Sequence, residues 1–555
     1  MKFHIQYLST RSGKTLLLFF DKHRYVFNLF EGFQRYSIEA NVKLTSVTAF
    51  FLSTKYQIPA LLGTYLTLNE CKSNYELPVN VICSADWFNI INSANFANKR
   101  KLKFNLCTSY KDSLIEVKMI EIEDECSFIV KLPIIRGKML MEKIPQNFPK
   151  KMLSLLAKRK EVMFENKLIK DAFLPDIHPK SIGIVYSTKN FEKLIEIFKK
   201  EKIENIFFFQ REALLCFKKE YKGNLYYCNE NYFVEFISFY EIQREFNKFN
   251  KNYLLPSKLK EVEKIEDVLY LNSKDVLLFN KEINDYEHIK NVQMYPEGIK
   301  EQIYNENDIF ITFLGTGCAI PSKYRNVSGI LVQIKDILFL LDCGEDTLWQ
   351  IHRIYNSFDI VDKLSFIFIS HSHADHNLGI ISVLMKRKNK SKLKIFGPSK
   401  IFPFIQSFTN NFTFISTDET FLLRKKIFLN YSDYFTSYDF NYLVSLCGVL
   451  HCEDSCGIKV IYEGFTISYS GDTKYDTVFK EMIKNSDVLI HEATFTDDLR
   501  EKADKTYHST VLDAVRVAEE GNVKQLILTH FSQRKRENVI GDTLDLYKII
   551  PDKFL

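Results

Sequence analysis

The 555-residue chain has no long hydrophobic run, no CxxC cysteine pair and no large excess of charge of either sign. The longest apolar run near the start, Leu16 to Phe20, is far too short to cross a bilayer. Met1 leads straight into the strand-like segment Phe3-His4-Ile5-Gln6-Tyr7-Leu8, with no secretory leader pattern. The 11 cysteines are odd in number, scattered and without any CxxC pair, which argues against a disulfide framework and for a reducing compartment. They are expected to pack as small hydrophobes, Cys452 and Cys456 included. A soluble intracellular protein is expected, with no membrane association, placed in nucleus, cytoplasm or a mitochondrial pool.

What is present is a globular composition, 46% hydrophobic and 26% charged, in a chain long enough for two to four domains. Its most informative stretch is Ile369-Ser370-His371-Ser372-His373-Ala374-Asp375-His376-Asn377, with the pattern HxHxDH. The apolar, aromatic segment Leu364 to Ile369 precedes it and reads as a buried strand; Leu378 to Met385 follows and reads as a helix. The histidines and aspartate therefore lie on a loop at a strand end, where a rigid scaffold can aim them at one point. Imidazole nitrogen with carboxylate oxygen suits zinc or a similar divalent ion. A single zinc needs three protein ligands and this loop offers four, which suggests two metals.

A strand–turn–strand pattern near the N-terminus recurs near residue 330. Thr15 to Phe20 and Arg24 to Asn28 are followed by a helix-like segment and a strand at Ser46 to Leu52. Ser328 to Val332 and Ile337 to Asp342 are followed in the same order, up to the strand ending at Ile369. Setting Asn28 against Asp342 and Leu52 against Ile369 makes the halves distant copies, an internal duplication of a whole domain. Opposite His371, His373, Asp375 and His376 the first copy carries Thr54, Tyr56, Ile58 and Pro59, none of which can do the same metal work.

Residues 131–180 hold 12 Lys or Arg against 5 acids, an excess that alone accounts for the formal net charge of +6. Prolines and a glycine break any long helix there, and a protruding basic arm that meets nucleic-acid phosphate is expected. Residues 182–240 return to strand and helix signals, including Ser181 to Tyr186 and Phe191 to Lys200. Residues 241–306 are mixed in charge and weakly patterned; they read as a linker, partly helical at Lys258 to Asp267. The expected division is a degenerate domain with its arm at 1–240, the linker at 241–306 and a catalytic domain at 307–555.

Downstream, His451 ends one strand-like run, Asp472 follows another through a glycine turn, and His530 ends a third. His491-Glu492-Ala493-Thr494 and His508-Ser509-Thr510 lie between them. All could converge on one edge of a sheet sandwich.

The order HxHxDH, His, Gly-Asp, His resembles the metallo-β-lactamase superfamily, whose fold is an αββα sandwich. Several stretches more narrowly resemble tRNase Z, the endonuclease that cuts the 3′ trailer from precursor tRNA. They are Phe313-Leu314-Gly315-Thr316-Gly317, Pro321 to Ser328, His491 to Thr494, His508 to Thr510 and Thr529 to Arg534. The duplication resembles the long form: tandem sandwich domains of the α/β class, the N-terminal copy degenerate and the C-terminal copy catalytic. The resemblance implies two zinc ions, with manganese as the other candidate. One zinc would take His371, His373 and His451, the other Asp375, His376 and His530, and Asp472 would bridge them. Asp375 would orient the attacking water, and His508, held by Glu492, would give a proton to the leaving 3′ oxygen. Lys323, Arg325 and Asn326 resemble the loop that inspects the 3′ end. Lys150, Lys151, Lys158, Arg159 and Lys160 fall in the arm that resembles the tRNA-gripping exosite. With the arm on one half and the metals on the other, a working monomer on precursor tRNA is expected.

A β-CASP nuclease of the same superfamily has no room for its insert in the 18 residues between Asp472 and His491. A small-ester or thioester hydrolase would share the metals but have no use for the Lys323 loop or the arm. A non-enzymatic RNA-binding scaffold fits the N-terminal half alone.

Overall fold

The computed structural model describes residues 3–10, 12–71, 78–94, 103–145, 147–158, 162–164, 167–168, 173–187, 189–228, 268–271, 276–280, 285–289, 309–322, 325–355, 357–420, 435–437 and 442–532. Four large sheets, of eight, seven, six and six strands, form two face-to-face pairs. In the C-terminal unit the first sheet runs Ile309–Gly315, Gly329–Ile334, Ile337–Cys343, Phe366–Phe368, Leu393–Gly397 and Phe412–Ser416. The second runs Phe435–Ser437, Leu443–Gly448, Cys456–Tyr462, Phe465–Tyr469, Val488–Glu492 and Gln525–Thr529.

The strand Ile337–Cys343 shows why these runs are so apolar. Ile337, Phe339 and Leu341 face the core between the two sheets, where they meet Val444, Ile458 and Tyr469. Leu338 and Leu340 face the other way, into a core shared with the helix Ile380–Lys386. With both faces covered, the strand carries no polar alternation. The outer face of the second sheet is closed by Phe479, Met482, Val517 and Ala518 from two further helices. Helix, sheet, sheet, helix is the αββα sandwich.

The N-terminal unit repeats the plan. Phe3–Thr10, Gly13–Phe20 and His23–Phe27 are antiparallel, and Val47–Phe51, Val79–Ile82 and Phe104–Cys107 continue in parallel. Asn28 and Asp342 both take left-handed backbone, φ 63° and 57°, at equivalent strand ends. Four residues later Gly32 and Asp346 do so again, at φ 80° and 70°. The basic stretch leaves this unit between the antiparallel neighbours Glu125–Lys131 and Ile182–Val185. In the C-terminal unit the equivalent strands are joined by the two-residue turn Glu463-Gly464. The arm is therefore an insertion into a hairpin. It has a stalk, with Ile135 opposite Ile177 and Met139 opposite Phe173, and a small core of its own around Leu156 and Val162.

The segment expected as a linker does more than join the halves. Val268–Leu271 adds a parallel edge strand to the second N-terminal sheet, and Val276–Asn280 pairs with Phe3–Thr10 and with Asp285–Ile289. Its weak patterning is that of short strands whose partners lie over 250 residues away in some cases, as for Leu277 against Ile5. The helix expected at Lys258 to Asp267 lies outside the described residues. Among the described residues no helix is long and apolar enough to cross a membrane.

The two units are clasped by a reciprocal pair of buried glutamates. Glu31 and Glu345 each stand three residues after the equivalent Asn28 and Asp342. The Glu345 carboxylate accepts from Gly32 N at 2.8 Å and from Gln34 Nε2 at 2.6 Å; the Glu31 carboxylate accepts from Asp346 N at 3.1 Å and from the Ser382 hydroxyl. Burial pushes the Glu31 carboxyl up to about 8 and Glu345 well above the carboxylate range.

Candidate metal centre

Each donor singled out in the sequence follows the end of a strand. The HxHxDH loop follows Phe366–Phe368; His451, Asp472 and His530 follow Leu443–Gly448, Phe465–Tyr469 and Gln525–Thr529. The loop is fixed by close backbone approach. A Cβ on Gly379 would lie 2.1 Å from Gly344 O, and one on Gly344 would lie 2.3 Å from Asp375 O, so only glycine fits at both.

Two groups of donors result. His371 Nε2 lies 2.9 Å from His373 Nδ1, and His451 Nε2 lies 3.1 Å from the same atom. Asp375 Oδ2 lies 3.5 Å from His376 Nε2 and 3.4 Å from His530 Nε2. The Asp472 carboxylate stands between them, with Oδ2 at 3.4 Å from His376 Nε2, 3.7 Å from His371 Nε2 and 3.8 Å from His451 Nε2.

The outer hydrogen bonds decide which ring nitrogen faces inward. His376 Nδ1 donates to Asp342 Oδ2 at 2.7 Å, and His451 Nδ1 donates to the Tyr507 carbonyl at 2.9 Å. The Ser370 hydroxyl donates to Asp342 at 2.9 Å and so accepts from His371 Nδ1 at 3.0 Å. The Thr494 hydroxyl donates to Glu492 at 2.6 Å and so accepts from His530 Nδ1 at 2.9 Å. Each of these four rings then presents a bare Nε2 lone pair inward, as a metal ligand does. Lone pairs at these separations repel unless a cation lies among them. His376 Nε2 and Asp472 Oδ1 are buried without a hydrogen-bond partner. Burial disfavours positive charge at His376, yet Asp472, Asp375 and Asp342 outweigh it and raise the ring well above its ordinary range. The group calls for positive charge at its centre. Five imidazoles and two carboxylates in this arrangement fit two divalent cations of the zinc type.

Beside them lies a second pair. His508 Nδ1 is 2.8 Å from Glu492 Oε1, and Glu492 is further held by Thr473 N at 2.8 Å and Ser509 N at 3.1 Å. Burial opposes protonation of His508, but Glu492, Asp472 and Asp375 prevail and lift it to about 9. The Glu492 carboxyl, which burial would raise, is held below its usual range by His508.

The loop before the second strand reaches the same place. Ala319 N donates to Asp375 Oδ2 at 2.7 Å. Arg325 Nη1 donates to Thr316 Oγ1 at 2.6 Å, and its guanidinium lies 4.8 Å over the Phe531 ring, next to His530. Lys323 lies outside the described residues. Asn326 was expected to meet substrate, but it is buried, with its amide donating to Glu345 O at 2.9 Å; it ties the loop to the clasp. Lys150, Lys151 and Lys158 are exposed on or beside the arm helix Lys150–Ala157, and Arg159 and Lys160 lie outside the described residues. Cys456 is buried in its strand, as expected of a small hydrophobe. The Cys452 thiol is hydrogen-bonded to Asp454 and Ser455, and its sulfur also falls within one 4.8 Å group with ligand atoms of His371, His373 and His451.

Sequence reasoning overlooked Asp342, Tyr469 and Thr494. Asp342 accepts from Ser370 N, the Ser370 hydroxyl, His376 and the Tyr469 hydroxyl, all within 2.9 Å. The available signal was its place, ending an apolar strand opposite Asn28.

Two family models match, each on a different half: "Anti-Pycsar protein Apyc1" over residues 309–546 and "tRNase Z endonuclease" over residues 8–63. Among curated proteins, the chain is 36% identical over 242 residues to the mitochondrial ribonuclease Z of Drosophila melanogaster, covering 40% of this chain and 31% of that one. It is 36% identical over 312 residues to ribonuclease Z 1 of Schizosaccharomyces pombe, covering 49% and 38%. The matches thus span about a third of the length of those relatives. Among solved structures, a long form RNase Z from yeast superposes with a TM-score of 0.71 at 20% identity, over 97% of this chain and 94% of that one. The chain is thus similar in sequence to ribonuclease Z proteins over part of their length and has the two-unit αββα fold of the yeast long form.

Proposed function

We propose that this protein is a two-zinc endoribonuclease that removes the 3′ trailer from precursor tRNA, cutting after the discriminator nucleotide. The observation that carries this reading is the convergence of seven donors and a hydrogen-bonded His508–Glu492 pair on one point beside a loop bearing Arg325. His371, His373 and His451 would hold one zinc, Asp375, His376 and His530 the other, and Asp472 both. Bound there, the two cations would supply an acidified water and a clamp on the phosphate oxygens. Asp375, steadied by Ala319 N, orients the attacking water. His508 is protonated at neutral pH because Glu492 stabilises its charge, so it can donate to the departing 3′ oxygen of the tRNA. The products would be a tRNA with a 3′-hydroxyl and a trailer with a 5′-phosphate. Exposed Lys150, Lys151 and Lys158 on the arm would meet tRNA phosphates, and arm and site would work within one monomer.

The test is incubation of the purified protein, with zinc and separately with manganese, with a precursor tRNA carrying a 3′ trailer. The expected result is one cut after the discriminator nucleotide, abolished by chelator. No cut on several precursors by protein holding two metals would overturn the reading.

A further inference from the structure

Among the described residues, fifteen that are not glycine hold positive φ, and twelve of these are Asn, Asp, Glu or Lys. The other three are Ala319, Tyr507 and His530, and all three stand at the metal centre. Ala319 thereby gives its N–H to Asp375, and His530 gives its ring to the donor group. Tyr507 is the unexplained one. It ends the helix Arg500–Thr506 at φ 59°, a position that glycine or asparagine takes at least steric cost. Its carbonyl accepts from His451 Nδ1, a bond any residue could supply. Tyr507 is 47% exposed, so burial does not offset the strain. Lys474 Nζ stands 4.7 Å over that ring, two residues from Asp472, with its backbone N bonded to Leu450 O at 3.1 Å, one residue from His451. The ring and the ammonium are thus anchored on both sides by loops that carry metal donors. A strained residue kept at a functional site is where such cost is stored.

We propose that Tyr507 and Lys474 form a stacking platform for a nucleobase adjoining the scissile phosphate. The ring face opposite Lys474 takes the base, and the ammonium takes the neighbouring phosphate charge. This rests on the RNA-cleaving reading above and adds the contact that seats the single-stranded 3′ end. Because every base has a π face, the platform tolerates any of the four. A ring–base stack is worth about 5- to 150-fold in affinity.

The experiment compares full-length wild type, Tyr507→Gly and Tyr507→Trp on three precursors: intact, abasic at the discriminator, and abasic at the first trailer nucleotide. Tyr507→Gly removes the ring and relieves the backbone, so its melting temperature should equal or exceed that of wild type. Wild type should lose about tenfold or more in kcat/KM with one of the abasic precursors. Tyr507→Gly should show the same loss on the intact precursor, mainly through KM, and no further loss with that abasic one. Tyr507→Trp should restore cleavage of the intact precursor. Wild-type kcat/KM in Tyr507→Gly, or an abasic penalty that persists without the ring, would overturn the platform and leave the endonuclease reading intact. No cleavage of the intact precursor by wild type would remove both.

Discussion

The carboxylate of Asp342 offers the sharpest test of the metal assignment, because a single atom exchange changes its chemistry without changing its shape. Its Oδ2 accepts three donors: His376 Nδ1 at 2.7 Å, the Tyr469 hydroxyl at 2.7 Å and the Ser370 hydroxyl at 2.9 Å. Its Oδ1 accepts Ser370 N at 2.7 Å. In Asp342→Asn one of the two oxygens becomes an amine that cannot accept. If the amine faces His376, the proton there must move from Nδ1 to Nε2, onto the atom that should hold metal. If it faces Ser370, a backbone N–H is left buried opposite another donor. The chain contains its own version of this exchange, since the half without the donor set has Asn28 at the equivalent place, with Ser53 bonded to its oxygen and its amine nitrogen unpartnered. Loss of such an outer partner weakens metal binding by about 10–100-fold, or about 1.4–2.7 kcal/mol. Zinc titration of metal-stripped protein against a chromophoric chelator should show one of two sites weakened by that factor, with the far-ultraviolet circular dichroism unchanged. Two sites of wild-type affinity would refute the tautomer argument and with it the role given to Asp342.

Four further outcomes are expected. Asp472→Ala should abolish cleavage and reduce bound zinc while leaving precursor tRNA binding largely intact in a gel-shift assay, and full activity would refute the bridging role. His508→Ala should lower kcat by about 10²–10⁴-fold at unchanged zinc stoichiometry, and loss of zinc instead would make His508 a ligand rather than the acid. Replacing residues 138–172 by a short glycine linker should raise KM for precursor tRNA at least tenfold; an unchanged KM would remove the arm from substrate binding. Glu31 binds a proton in the folded state up to about pH 8, whereas an ordinary glutamate in the unfolded chain loses it near 4.5. Its contribution to stability is therefore full below about 4.5 and is lost as pH rises through about 8. Glu31→Gln should accordingly gain in melting temperature relative to wild type between pH 6 and pH 9, and a constant difference would refute the buried carboxyl.

Local chemistry made much of this protein legible in advance. The period and apolarity of Leu364 to Ile369 and of Phe191 to Lys200 announced a strand and a helix, and the structure has them at Phe366–Phe368 and Phe191–Lys200. The alignment of Asn28 with Asp342 revealed the duplication because a left-handed strand end constrains both copies alike. The strands at Val268–Leu271 and Val276–Asn280 escaped notice, since they are short and their partners are remote in sequence. Asn326 was misjudged for a related reason. Its polarity suggested contact with substrate, but Glu345 O, which takes its amide, could not be placed without the fold.

By itself, then, the sequence determined which side chains could bind metal and in what order they follow their strands, because donor chemistry and strand period are local properties. Only the tertiary structure decided which nitrogen of each ring faces inward, that Asp342 and Thr494 govern that choice, and that Glu31 and Glu345 lock the half without the donor set onto the half that carries it. These depend on atoms from distant strands meeting within hydrogen-bond range, and no spacing along the chain records that.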